Sequence, residues 1–210
     1  MKKVYTIEQL EKMFNSLDES LRAEAAGQKY KLDLLINDKS EWVRMAVAKQ
    51  KYGLNKLIND RSFNVRIAVA KQKYGLHILI KDKNIYVRIA VAEQKYKLNI
   101  LINDESPDVR AAVAAQNYGL DVLINDKEPF VRQAVAKQKY GLDRLVHDEN
   151  EWVRAEVAKA GYGFEILYND KSDLVRYEIA KQGYNLEYYT KDKNKIIREM
   201  AIEKLSKKNW

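Results

Sequence analysis

The side chains that most often carry catalysis are scarce in this chain. It has no Cys, which excludes thiol nucleophiles, thiolate metal sites, iron–sulfur clusters and disulfides. His77 and His147 are the only histidines and stand 70 residues apart, so a shared metal or acid–base site built on imidazole has little to draw on. His147 takes the place of Asn in a recurring Asn-Asp pair. Carboxylates are plentiful, but they return at fixed positions instead of clustering. No phosphate-cradling glycine loop, nucleophile elbow or zinc-binding spacing occurs. The expectation is a non-enzyme with no catalytic residues, no cofactor, no metal and no small-molecule substrate.

What the chain does repeat is a pair of opposite charges. Arg stands at 22, 44, 66, 88, 110, 132, 154, 176 and 198, every 22 residues without a slip. Six residues earlier lies an Asp, at 38, 60, 82, 104, 126, 148, 170 and 192, with Ser16 as the exception. A guanidinium forks onto a carboxylate or onto backbone carbonyls with charge-assisted hydrogen bonds. The pairs Asp38/Arg44, Asp60/Arg66, Asp82/Arg88, Asp104/Arg110, Asp126/Arg132, Asp148/Arg154 and Asp170/Arg176 therefore read as a structural ladder. In it, each Arg reaches the Asp of its own or an adjacent unit and satisfies the turn before its helix. Tyr also recurs, at 30, 52, 74, 96, 118, 140, 162 and 184. It reads as a packing residue whose hydroxyl holds the turn.

The elements that position these residues follow from the same period. In one unit, Ser40 is a good N-cap, and Ser62, Asn84, Ser106, Asn150 and Ser172 share its register, with Glu128 as the poor member. Pro107 and Pro129 fall one residue later, where a helix tolerates proline. A helix then runs through Val43, Arg44, Val47 and Gln50 and ends near Tyr52, with Gly53 as the expected left-handed C′ residue. Leu54, Leu57 and Ile58 form a second segment of about two turns, α or 3₁₀. Strict repetition of this kind means stacked units. The chain reads as one all-α repeat domain, 1–210: a capping helix over 1–14 opened by the Thr6/Gln9 capping box, eight 22-residue repeats over 15–190, and a capping repeat over 191–210.

On a helical wheel Val43, Val47 and Gln50 face inward, while Trp42, Met45 and Lys49 share the opposite side. There the units differ most. The first position holds Trp42, Asn64, Tyr86, Asp108, Phe130, Trp152 and Leu174. The second includes Met45 and Tyr177, and the third holds Lys49, Lys71, Lys137, Lys159 and Lys181. Aligned aromatics on the outward side of a helix mark a contact surface. The opposing reading folds Trp42 and its equivalents over the seam between units. A second lysine column, Lys29, Lys51, Lys73, Lys95 and Lys139, lies at the helix ends, and the formal net charge is +8. Lysines beside aromatics make single-stranded nucleic acid the alternative partner. The expected partner is a protein, bound through Trp42, Met45, Lys49, Lys71, Tyr86, Phe130, Lys137, Trp152, Lys159, Tyr177 and Lys181. No membrane span or secretory segment is legible, so a cytoplasmic location is expected.

The Asp-x5-Arg string, with Val before the Arg and Ala-rich positions after it, resembles HEAT-type repeats. The compact period and short second segment are similar to the leucine-rich repeat variant family, over roughly residues 15–205. The resemblance implies a right-handed α-solenoid superhelix of two-helix units, long helix plus short α or 3₁₀ helix, that serves as an adaptor or an inhibitor. Two features depart from it: the period is shorter than usual, and Tyr-Gly-Leu replaces an Asn/Pro-rich turn.

Overall fold

The computed structural model describes residues 4–208; residues 1–3 of the expected first cap and 209–210 of the last lie outside them. Eighteen helices and no strands occur among the described residues. By contacts the chain forms two compact units, the first ending at Lys97 and the second beginning at Leu98. Each is a solenoid-type stack. In the first, the capping helix Ile7–Phe14 precedes long helices Glu19–Gly27, Glu41–Lys49, Phe63–Lys71 and Ile85–Glu93. The short helices Leu32–Leu35, Leu54–Leu57 and Leu76–Leu79 alternate with them. The second unit repeats the pattern from Leu98–Leu101 to Asp173–Lys181 and Leu186–Tyr189, and closes with the long helix Lys195–Lys208. Within each unit successive long helices pack side by side. No helix among the described residues is long and apolar enough to cross a membrane.

The pairing of helix lengths follows from what each register can bury. Val43, Val47 and Ala48 are wholly buried, as are their counterparts Val65, Val69 and Ala70. The small alanine lets neighbouring helices approach to about 8–10 Å. Leu57 and Leu79 complete the core from the short helices. Those helices are α-helical, four residues each. Gln50 is half-buried and ends its helix as C-cap; the wheel placed it in the core because it ignored that the helix stops there.

The helix end also differs from the sequence reading. The left-handed C′ residue is Lys51, with φ +60°. Its N–H donates to the Ala48 carbonyl at 2.9 Å, and the Tyr52 N–H donates to Val47 at 3.5 Å, which is a Schellman ending. Gly53 is left-handed as well, but as the N-cap of the short helix. A methyl group there would lie 2.1 Å from Cδ1 of Ile36, so the stacking of one turn on the next selects glycine.

The Tyr hydroxyl does not hold this turn. Tyr52, Tyr74, Tyr118, Tyr140 and Tyr162 are about two-fifths exposed, and none has a hydroxyl hydrogen bond among the described residues. The turn is closed by the tyrosine's backbone N–H. Hydroxyls are engaged near the two ends of the chain, where Tyr188 donates to Asn169 and Tyr189 to the Tyr168 carbonyl, both at 2.8 Å. Tyr30 donates to Glu11, and Tyr5 donates to Glu24. Lys31 also donates to Glu11 at 2.7 Å and lies 4.6 Å from the Phe14 ring centre. Lys31, then Tyr30, hold the Glu11 carboxyl at about 2.

Left-handed backbone costs a residue with a β-carbon about 1–2 kcal/mol. Lys51→Gly removes that strain but gives up helix-dipole attraction and adds unfolded-chain entropy, together about 1 kcal/mol. The expected result is a stability equal to wild type or up to about 1 kcal/mol higher, read from urea midpoints. A loss larger than that would mean the lysine stem itself supports the turn.

Candidate interaction surfaces and the ladder beneath them

The ladder is present in both units, and each Asp does three jobs. In the first unit Arg44 donates from Nε and Nη2 to the Asp60 carboxylate at 2.6 and 2.8 Å. Arg66 does the same to Asp82 at 2.6 and 2.8 Å. Each guanidinium thus reaches the Asp of the following unit. Its remaining Nη1 turns back, Arg66 donating to the Asp60 carbonyl at 2.8 Å. Asp60 is therefore held at its side chain by Arg44 and at its backbone by Arg66. Its carboxylate also accepts the Ser62 N–H at 2.9 Å. That bond satisfies the N-cap N–H of the next helix; Ser62 adds a side-chain capping bond of its own, whereas Ser40 and Glu128 make none and the Ser40 hydroxyl is unpaired.

Arg22 opens the ladder on Asp38 at 2.7 Å. In the second unit the same forks join Arg110 to Asp126, Arg132 to Asp148, Arg154 to Asp170 and Arg176 to Asp192. Arg88 Nη1 donates to the Asp82 carbonyl at 2.8 Å, and Asp104 accepts the Ser106 N–H at 2.9 Å. Burial pushes the Asp60 carboxyl up, but Arg44 and the Ser62 N–H outweigh it and hold it below the usual carboxylate range. Asp38, Asp82, Asp126, Asp170 and Asp192 are lowered in the same way.

The outward stripe is solvent-facing. Trp42 is 57% exposed and Tyr86 56% in the first unit; Phe130 and Trp152 are at least half exposed in the second. All four rings keep half or more of their surface exposed, although Tyr86 also packs across the seam on the preceding helix. Between Trp42 and Tyr86 sits Asn64, which donates to Glu41 at 3.0 Å. Phe63 stacks on Tyr86 with ring centres 6.0 Å apart. Phe63 escaped the sequence reading because it stands one residue before the variable register, among Glu, Ile and Pro. Met45 and Tyr177 are half-buried, so the second position of the stripe belongs partly to the helix–helix seam.

The lysine column is uneven. Lys49, Lys71 and Lys137 are exposed with no carboxylate partner among the described residues. Lys159 and Lys181 lie 3.9 and 3.8 Å from Glu156 and Glu178, where other units hold Ala. The third position of the stripe thus carries two unpaired lysines and the exposed Glu93 in the first unit, and one unpaired lysine in the second.

Open grooves recur on the Asp-turn edge; one of about 600 Å³ is lined by Asn169, Arg176, Tyr188 and Asp192. Its Arg176 and Asp192 already satisfy each other. No group of three or more His, Asp or Glu side chains able to hold a metal occurs among the described residues.

Fold and surface together define a helical-repeat protein of solenoid type with a 22-residue period, constant in sequence on its Arg–Asp edge and variable on its outward helix face. No family model matches the chain, and no curated protein matches it.

Proposed function

We propose that this chain is a non-enzymatic binding module, of the HEAT-like or leucine-rich repeat variant kind, that engages a protein partner as an adaptor or inhibitor in the cytoplasm. The observation that carries the reading is the exposure of Trp42, Tyr86, Phe130 and Trp152 at one register of the long helices. Large rings cost apolar contact with water, and such residues are the usual anchors of an interface. Lys49 and Lys71 beside the first pair favour a partner surface that is apolar at its centre and acidic at its rim.

The test is a four-site variant, Trp42→Ala, Tyr86→Ala, Phe130→Ala and Trp152→Ala. Exposed side chains contribute little to folding, about 0.5 kcal/mol or less each, so the helical spectrum and melting are expected to persist. Partner binding, measured by quantitative capture and then by titration of the captured protein, is expected to fall by more than a hundredfold, since interface anchors cost about 2 kcal/mol or more each. Unchanged affinity in a folded variant would sink the reading.

A further inference from the structure

The C′ register of the first unit carries a choice that packing does not explain. That position must be left-handed, the conformation glycine adopts without strain. The second unit mixes Asn117, Lys139, Gly161 and Gly183 there. The first unit uses Lys29, Lys51, Lys73 and Lys95, with φ of 62, 60, 58 and 57°. All four are exposed, and none has an ion-pair partner among the described residues. A cation near a helix C-terminus meets the helix dipole favourably. Before Lys51 and Lys73, the last-turn Lys49 and Lys71 already supply that attraction, so in these two repeats it does not account for a second cation in a strained conformation; the helices before Lys29 and Lys95 have no basic residue in their last turn. Strain that persists where a relaxed residue would fit points to function.

The chemistry around these lysines narrows the ligand. Each is followed by a Tyr, and the Tyr52 and Tyr74 rings are 41% exposed with free hydroxyls. Across 50–56 and 72–78 this edge carries lysines, tyrosines and His77 but no carboxylate, while Asp33 and Glu93 lie close in sequence to the outer lysines Lys29 and Lys95. In the two middle repeats, Lys51/Tyr52 and Lys73/Tyr74, the element is therefore one unpaired cation beside one accessible ring face, at a step of about 8–10 Å, whereas Tyr30 and Tyr96 are half-buried. A single-stranded nucleic acid presents the complement, a phosphate and an unstacked base in every nucleotide. A duplex keeps its base faces buried, and an acidic peptide gives the rings nothing to do. Lysine, a point charge without arginine's fork, suits backbone neutralisation without sequence readout. We propose that the first unit binds single-stranded nucleic acid along the edge formed by Lys29, Lys51, Lys73 and Lys95, with Tyr52 and Tyr74 stacking on its bases. This surface is separate from the aromatic stripe and does not depend on it.

Fluorescence anisotropy of the full chain with labelled poly-deoxythymidine and poly-uridine strands of about 15 nucleotides, across a salt series, tests this. Four neutralised phosphates give a log–log salt slope of about −2.8. Lys29→Gly, Lys51→Gly, Lys73→Gly and Lys95→Gly together are expected to abolish binding while the fold persists, because glycine already serves at 161 and 183. The matching Lys→Arg variant is expected to keep both binding and slope. Tyr52→Leu with Tyr74→Leu is expected to weaken binding about tenfold or more without changing the slope. The Trp42→Ala, Tyr86→Ala variant is expected to bind the strands as wild type does, which separates this surface from the protein-binding stripe. Binding of either strand with these responses supports the proposal, and the tighter one names DNA or RNA as the source. Three results would overturn it. They are no binding at about 50 mM salt, binding that survives the Lys→Gly changes, and displacement by poly-glutamate with no effect of the tyrosine changes.

Discussion

Asp82→Ala is expected to lower the stability of the protein by about 3–5 kcal/mol, the cost of leaving a buried charge without its partner. The substitution orphans the Arg66 guanidinium, which is only 7% exposed. It removes two short charge-assisted bonds, at 2.6 and 2.8 Å. It also removes the acceptor for the Asn84 N–H at 2.9 Å, one of the donors at the start of the following helix. Whole domains hold about 5–15 kcal/mol, so one such change can decide whether the stack folds. Because each repeat leans on its neighbours, the damage is expected to spread to adjacent units. Urea unfolding followed by helical signal measures it. Arg66→Met combined with Asp82→Ala is expected to cost less than the sum of the two single changes, because no lone charge remains. A loss under 1 kcal/mol for Asp82→Ala would show that the ladder is an ornament on a stack held by its apolar core.

Acid is expected to unfold the protein cooperatively below about pH 4. The sign follows from the ladder's carboxyls. Asp38, Asp60 and Asp82 in the first unit, and Asp126, Asp170 and Asp192 in the second, are all held below the ordinary carboxylate range. Such groups stabilise the fold fully above the unfolded value of about 3.9. That stability is lost as pH falls through the lower folded values. Each group contributes up to about 1.4 kcal/mol per pH unit in that window, so the three of the first unit together reach about 4 kcal/mol per unit. Buried pairs are screened little by salt, so raising salt is not expected to shift the transition much. Chemical denaturation repeated from pH 7 to pH 3 reads the slope. A flat profile down to pH 3 would contradict the ladder's contribution.

Much of this was legible in the residues themselves. Recurrence of Arg, Asp, Val and Tyr at one period identifies a stack, because a 22-residue unit cannot bury its own apolar side and must borrow a neighbour's. Thr6 and Gln9 form the expected capping box. The outward placement of Trp42, Tyr86, Phe130 and Trp152 followed from helical periodicity alone, since a helix that buries Val43 and Val47 must turn Trp42 to the other side.

Other features were beyond periodicity. The wheel could not tell that Met45 and Tyr177 are half-buried, because the seam between two helices depends on how closely their alanines let them approach. Nor could the sequence say which Asp an Arg meets: the guanidinium passes over its own turn to the next unit's carboxylate, a choice made by the stacking distance. The same holds for the turn after the long helix. Gly53 announced a left-handed residue, but two occur, and the Schellman closure puts the first at Lys51. The strained lysines beside exposed tyrosines thus came from backbone geometry. The sequence by itself determined the repeat, the helix faces and the identity of the ladder's members, because these depend on local period and residue type. Tertiary structure alone decided the partners across units, the exposure of the tyrosines and the free charge of the first unit's edge, because each depends on what a neighbouring repeat covers or leaves open.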